Sequence, residues 1–138
     1  MDEGSGRDID WDAAYRSGEI PWEKGTAAPP LLEFLERREL PGRVLVPGCG
    51  LGHDARAIAR GGADSVIGLD VSNTAIAAAK ERHNPPNLEF AVGDFFDGEL
   101  GSFDGVFEHT FISALDAPLR SRYTPALLRH LRPGGLYL

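Results

Sequence analysis

Three glycines spaced two residues apart, Gly48, Gly50 and Gly52, follow a short apolar run, and a second apolar run ends in Asp70. Glycine allows a backbone to approach a ligand closely, and open α/β sheets bind ligands at the carboxyl ends of their strands. Asp70 would lie beside the glycine loop at that edge, where its carboxylate can accept hydrogen bonds from both hydroxyls of a ribose. The pattern indicates a site for a nucleotide-like ligand. The simpler interpretation is a tight turn, with Asp70 capping the next helix.

The glycine spacing differs from that of the dinucleotide-binding fingerprint. That fingerprint, G-x-G-x-x-G, has glycine at its first, third and sixth positions, whereas the sixth position counted from Gly48 is His53. A nicotinamide-dependent dehydrogenase is therefore less favoured than a protein that binds another nucleotide-like ligand.

The elements that must position these residues alternate between strand and helix. Apolar runs predict strands at 44–46, 65–69, 88–92 and 103–107, and the beginning of a fifth at 136–138. Helices are expected from about Pro30 to Leu40, from His53, after Ser72 as N-cap, and from Thr124 through Leu131, where Gly134 and Gly135 close the helix. This alternation predicts an α/β fold with an open parallel sheet covered on both faces by helices, a three-layer Rossmann-like arrangement.

Composition limits the classes of partner. The 138 residues are 42% hydrophobic, which is enough for one core, so residues 11–138 are expected to form a single domain after a disordered N-terminus at 1–10. A net charge of −7 argues against nucleic acid as a partner. The sequence contains neither a membrane-length apolar run nor a signal-peptide pattern, so we expect a cytoplasmic protein. A single cysteine, Cys49, excludes an internal disulfide and a thiol metal site, and no metal is expected.

Six blocks occur in order from Trp11 almost to the end of the chain: WDAAYRSGEIPWEKG, VLVPGCGLGHDARAIA, VIGLDVS, VGDFF, FDGVFEHTFISAL and LRPGG. In order and spacing they resemble the class I S-adenosylmethionine-dependent methyltransferases, and within these the thiopurine, thiol and halide methyltransferase superfamily. The resemblance implies a sheet that continues past the fifth strand. The chain is therefore expected to be truncated within that strand and to self-associate through the truncated sheet edge or to be marginally stable.

The resemblance also implies roles for individual residues in holding S-adenosylmethionine. The implied contacts are Gly48, Cys49 and Gly50 under the methionine part, Asp70 on the ribose hydroxyls, Asp94 and Phe95 at the adenine edge, Val71 against the ring, and Trp22 over the sulfonium. Considered as residues alone, Trp22 is equally well explained as an apolar anchor for its segment. Asp54 is most simply an acid favoured in a first helical turn, with a contact to the cofactor ammonium as the alternative.

The residues after the fourth strand are the candidates for the acceptor side. Glu108, His109 and Thr110 are expected to line the substrate pocket, with apolar walls from Phe111 and Trp11. His109 is the candidate catalytic base because imidazole titrates near neutral pH, although a polar wall of the pocket is the simpler explanation.

The function expected from this resemblance is methyl transfer to a small soft nucleophile, such as a thiol, thiocyanate or halide, by in-line displacement. Alternatives are a small-molecule O- or N-methyltransferase and a truncated cofactor-binding domain without turnover. The expected partner is thus a small-molecule acceptor, with no nucleic acid and no membrane.

Overall fold

A five-stranded parallel sheet forms the centre of the protein. The computed structural model describes residues 10–40, 42–97, 100–109, 111, 115 and 117–138. The strands are β1 (Arg43–Pro47), β2 (Ser65–Asp70), β3 (Leu88–Val92), β4 (Phe103–Val106) and β5 (Leu131–Tyr137), in the order β3-β2-β1-β4-β5. All four strand pairings are parallel. The predicted open parallel sheet is thereby confirmed.

Helices cover both faces of this sheet. The helices are α1 (Trp11–Ser17), which packs against α4, α2 (Pro29–Leu35), α3 (His53–Arg60), α4 (Asn73–Arg82), α5 (Ala117–Arg120) and α6 (Tyr123–His130). One core cluster joins α2, α3 and α4 to the sheet through residues such as Leu31, Ile58 and Ile76. A second cluster joins α5 and α6 to it through Leu119 and Tyr123. Two buried clusters, one on either side of the sheet, give the three layers that alternating elements predict.

Two predicted helix ends were wrong. The helix expected to reach Leu40 ends at Leu35, because the charged residues 36–39 offer no apolar face and Leu40 is fully buried on its approach to β1. The last helix ends at His130, and Leu131 already pairs with Phe103. The next paired residues are Gly105 and Leu136. Four residues of β5, 132–135, therefore lie between two paired positions that are separated on β4 by Asp104 alone. Gly134 and Gly135 therefore form an irregularity within β5 and do not close a helix.

The N-terminal segment begins with a helix that the sequence analysis did not identify. Of the residues expected to be disordered, 1–9 lie outside the described part of the chain. Asp10 is the N-cap of α1 and accepts a hydrogen bond from the backbone N–H of Ala13 at 3.0 Å. Within the described ranges, none of the helices is both long and apolar enough to cross a membrane.

Candidate functional site

A cavity of about 800 Å³ lies at the carboxyl ends of the strands. Its walls come from the glycine loop after β1, the end of β2, the segment after β3, the segment after β4, and residues 10–29. The predicted site residues that line it are Trp11, Trp22, Gly48, Cys49, Gly50, Asp70, Val71, Asp94, Phe95, His109 and Phe111. Glu108 is not among the lining residues, and Thr110 lies outside the described residues. The topology thus brings residues from five separate segments to one edge of the sheet.

Aromatic side chains pack against the glycine loop and help to determine its conformation. Gly48 and Gly50 have φ values of +64° and +56°, a conformation that side chains other than glycine rarely adopt. A Cβ on Gly48 would lie 2.3 Å from the ring of Phe111, and a Cβ on Gly50 would lie 2.7 Å from the hydroxyl of Tyr15. Both positions therefore favour glycine for two reasons, the positive φ and the aromatic side chain that lies against the backbone.

Asp70 connects this loop to the start of α4. Its Oδ2 accepts a hydrogen bond from the backbone N–H of Gly50 at 2.9 Å, and its Oδ1 accepts one from that of Ser72 at 3.0 Å. The cap of α4 itself is Ser72, whose Oγ accepts from Ala75. Asp70 is 9% exposed, and burial raises the pKa of its carboxyl group, while the bonds from Ser72 and Gly50 oppose that rise. The carboxylate thus fixes the loop at the edge of the cavity.

The segment after β3 contributes the carboxylate of Asp94 and part of the cavity lining. Oδ1 of Asp94 accepts a hydrogen bond from the backbone N–H of Phe96 at 2.8 Å. Phe95 is almost fully buried and stacks on His130, with ring centroids 5.1 Å apart. Val71 differs from Phe95 because 52% of it is exposed, so its side chain is available to a molecule in the cavity.

Three aromatic residues form one wall. Trp22 packs edge-on against Trp11 and Tyr15, with centroids 5.4 and 5.8 Å apart, and its Nε1–H donates to the Tyr15 hydroxyl at 3.1 Å. Burial raises the pKa of Tyr15 to about 12, so the phenol keeps its proton at neutral pH and can still donate it. Tyr15 was not among the site residues predicted from the sequence. Its four-residue spacing from Trp11, which puts both on one helix face, was the available signal.

Residues 10–28, which we call the arm, are attached to the domain at both ends. At the first end, Oδ1 of Asp12 accepts hydrogen bonds from Ser72 Oγ at 2.7 Å and from the Thr74 N–H at 2.8 Å. These bonds lower the pKa of Asp12 to about 2. At the other end, the N–H of Ala28 donates to Oδ1 of Asp54 at 2.8 Å. Asp54, considered in the sequence only as a first-turn acid or an ammonium partner, also holds the arm.

The segment after β4 forms the opposite wall. The ring of Phe111 packs against Phe95 and Phe96, with centroids 5.8 and 6.1 Å away. Oε1 of Glu108 accepts from the N–H of Phe111 at 3.0 Å, and its Oε2 accepts from the Tyr137 hydroxyl at 3.2 Å. Glu108 thus supports the wall from behind. His109 is exposed and lines the cavity. Burial raises the pKa of Asp54, while the hydrogen bond from Ala28 and the charge of His109 oppose that rise.

Acidic groups outnumber basic ones around the cavity. The acidic lining residues are Asp10, Asp12, Glu23, Asp54, Asp70 and Asp94, and the basic or titratable nitrogen groups are Lys24, His53 and His109. A concave surface with this excess of negative charge favours a cationic ligand. In the described part of the chain, His, Cys, Asp and Glu residues do not form a group of three or more that could hold a metal ion.

Comparison with known proteins gives one family. The family model described as thiopurine S-methyltransferase matches residues 7–138. Probable thiol methyltransferase 2 of Arabidopsis thaliana is 35% identical over 131 residues, which are 91% of this chain and 58% of that protein. Thiocyanate methyltransferase 1 of the same plant is 34% identical, and the match covers 91% of this chain and 57% of that protein. A thiopurine S-methyltransferase of Legionella pneumophila is 27% identical, with 93% and 66% covered.

Two solved structures have a fold similar to that of this chain. One comes from work on the conversion of a disulfide bond into a thioacetal group during echinomycin biosynthesis. It has a TM-score of 0.79 and 31% sequence identity to this chain, and the match covers 92% of this chain and 56% of that one. The DhpI-SAM-HEP complex has a TM-score of 0.75 and 28% identity, with 96% and 63% covered. The chain therefore spans somewhat more than half the length of these relatives.

Proposed function

Because the chain belongs to the thiopurine S-methyltransferase family, we propose that it binds S-adenosylmethionine in the cavity and takes part in methyl transfer to a small sulfur nucleophile. The observation that carries the proposal is the position of Asp70, a carboxylate bonded to the glycine loop at the edge of an acidic, aromatic-walled cavity. Relatives whose names specify thiol, thiocyanate and thiopurine acceptors support the acceptor class.

The residues present suit the cofactor. S-adenosylmethionine carries positive charge on its sulfonium and its ammonium, and the cavity offers carboxylates and aromatic faces that favour cations. In this proposal Asp70 accepts hydrogen bonds from the ribose hydroxyls. Asp94 and Phe95 contact the edge of the adenine, and Val71 packs against the face of the adenine ring. Gly48, Cys49 and Gly50 follow the methionine part, and Trp22 covers the sulfonium.

The residues of this chain would align the acceptor with the cofactor and exclude water from the cavity. When bound, the cofactor supplies an electrophilic methyl group with a leaving group that needs no proton. Phe111 and Trp11 give apolar walls that hold a soft nucleophile and keep water away. An anionic acceptor needs no base, whereas a neutral thiol must lose a proton, for which His109 is the candidate group.

Binding and turnover should be measured separately to test this function. Calorimetry with S-adenosylmethionine should show binding, and a panel of iodide, thiocyanate, bisulfide and aromatic thiols should give methylated product. A preference for NAD over S-adenosylmethionine would reject the proposed ligand. Activity on a phenol or amine, with none on any soft nucleophile, would reject the acceptor class.

Replacing His109 with alanine should slow methylation of a neutral thiol by roughly a hundredfold or more, the usual size of a general-base contribution. Methylation of iodide should change much less, because iodide has no proton to lose. Steady-state rates with the two acceptors, compared in the same preparation, measure the difference. Equal losses for both would identify His109 as a wall of the pocket and not as a base.

We also propose that the 138-residue chain self-associates through the outer edge of β5. In the described sheet β3 and β5 are the two edge strands, and on β5 Tyr137 is 41% exposed. A strand edge with unpaired backbone groups favours pairing with a second copy. Sedimentation should therefore show an average mass that rises with concentration. A monomer at every concentration would rule out this contact.

A further inference from the structure

The helix α1 carries much of the aromatic wall but is not anchored in the hydrophobic core. None of its residues is buried, and residues 11–15 are half-buried. Trp11 and Tyr15 lie on this helix, and Trp22 packs edge-on against both of their rings. The position of the aromatic wall therefore follows the position of α1, which depends on contacts other than fully buried apolar side chains.

Asp12 links α1 to the rest of the domain. Its Oδ1 accepts hydrogen bonds from Ser72 Oγ at 2.7 Å and from the N–H of Thr74 at 2.8 Å, both at the N-terminus of α4. A negatively charged acceptor is favoured there because the first N–H groups of a helix carry partial positive charge. One carboxylate oxygen thus joins the two helices.

The same contact leads directly to the glycine loop. Ser72, whose hydroxyl donates to Asp12, also donates its N–H to Oδ1 of Asp70. The other carboxylate oxygen of Asp70 accepts the N–H of Gly50. The hydroxyl of Tyr15 is in turn the nearest group to a Cβ placed on Gly50. The contacts form a closed ring, which leaves α1 through Asp12 and returns to it through Tyr15.

We propose that Asp12 is a positioning residue, which docks α1 on the N-terminus of α4 and thereby places the aromatic wall of the cavity beside Asp70. Both of its carboxylate oxygens are engaged by the protein, since Oδ2 pairs with Arg16, so Asp12 acts through its neighbours. When the dock is broken, only the fraction of molecules with α1 in place has a complete site, and the apparent affinity falls by that fraction. The proposal rests on the proposed function only for the identity of the ligand.

The domain should remain folded without this carboxylate. Ser72 Oγ still accepts the N–H of Ala75 in an Asp12→Ala protein, so α4 keeps its cap. Thr74 is only half-buried, and water can replace the acceptor that its N–H loses. Asp12→Ala therefore separates the docking of α1 from the stability of the sheet, and circular dichroism checks that the variant is folded.

Both tryptophans of the chain, Trp11 and Trp22, lie in the arm, so intrinsic fluorescence reports on its position. In the ligand-free protein, Asp12→Ala should raise acrylamide quenching clearly above that of the unaltered chain. Calorimetry should show that it binds S-adenosylmethionine roughly three- to tenfold more weakly. Asp12→Asn keeps an Oδ1 acceptor for both donors, so it should restore most of the protection and most of the affinity.

Two matched variants serve as controls. Glu19→Gln removes an exposed charge of the same arm, and Arg16→Gln removes the ion pair of Asp12 while leaving its Oδ1 bonds in place. Both should behave like the unaltered chain. Asp12→Glu keeps the charge but lengthens the side chain by one methylene, so it should displace α1 and be quenched more than Asp12→Asn. It decides the question if the alanine variant does not fold.

Unchanged quenching in a folded Asp12→Ala protein, or an Asp12→Asn protein that is restored in neither property, would overturn the proposal. Increased quenching with full affinity for S-adenosylmethionine would overturn it too, because the wall would then be irrelevant to the ligand. Failure of the unaltered chain to bind S-adenosylmethionine would reject the proposed function, while quenching of the ligand-free variants would still decide whether Asp12 positions α1.

Discussion

Replacing Asp70 with alanine should weaken the binding of S-adenosylmethionine by about 1 to 3 kcal/mol, or roughly five- to 150-fold in Kd. The carboxylate has two roles in this expectation, because it accepts the N–H of Gly50 and is offered to the ribose hydroxyls. Its loss removes a charged acceptor from the ligand and leaves the glycine loop without its support. Titration calorimetry on the purified variant measures the effect.

The control for this experiment is Asp64→Ala. Asp64 is an exposed carboxylate that precedes β2 at the strand end opposite Asp70, so its removal changes net charge equally without touching the cavity. It should bind with unchanged affinity. Burial raises the pKa of Asp70, which means that the folded protein already disfavours this charge, and removing it need not unfold the domain. Unchanged affinity in a folded Asp70→Ala protein would contradict the ribose role.

The strands and the ends of strands could be predicted from the sequence because parallel strands buried on both faces leave continuous apolar runs. The run before Gly48 and the run that ends in Asp70 are adjacent strands in the sheet, paired from Arg43 with Ser65 to Pro47 with Leu69. Their carboxyl ends must then meet. Asp70 and the glycine loop were therefore predicted to be neighbours, as the structure has them.

The contacts that attach the arm could not be predicted in this way. Asp12 bonds to Ser72 across 60 positions, and Ala28 bonds to Asp54 across 26. Such pairs have no periodicity or local motif, since they arise only once the sheet has placed α3 and α4 beside the cavity. The irregularity in β5 was missed for a related reason. Glycine pairs stop helices in many sequences, and only the pairing of Leu131 with Phe103 shows that Gly134 and Gly135 lie within a strand.

Replacing Gly50 with alanine should reduce binding of S-adenosylmethionine by more than about tenfold, because the new Cβ collides with the arm over the cavity. The Cβ would lie 2.7 Å from the Tyr15 hydroxyl, which is itself held by Trp22. Alanine also disfavours a φ of +56°, at a cost of roughly 1–2 kcal/mol. Gly18→Ala separates the two effects, since Gly18 has a φ of +83° with nothing within 4 Å of its Cβ position. This control should lose stability but keep its affinity.

A second substitution tests the collision itself. Tyr15→Phe removes the oxygen at 2.7 Å, and the next atom, Cζ of the same ring, lies 3.7 Å from the Cβ position, an ordinary contact distance. Gly50→Ala should therefore cost much less binding in the Tyr15→Phe protein than in the unaltered chain, and a double-mutant cycle measures that coupling. Equal losses in both backgrounds would show that Gly50 acts through the ligand or the backbone and not through the arm. Coupling between the two positions would instead show that the Tyr15 hydroxyl is the group that the added Cβ at position 50 meets.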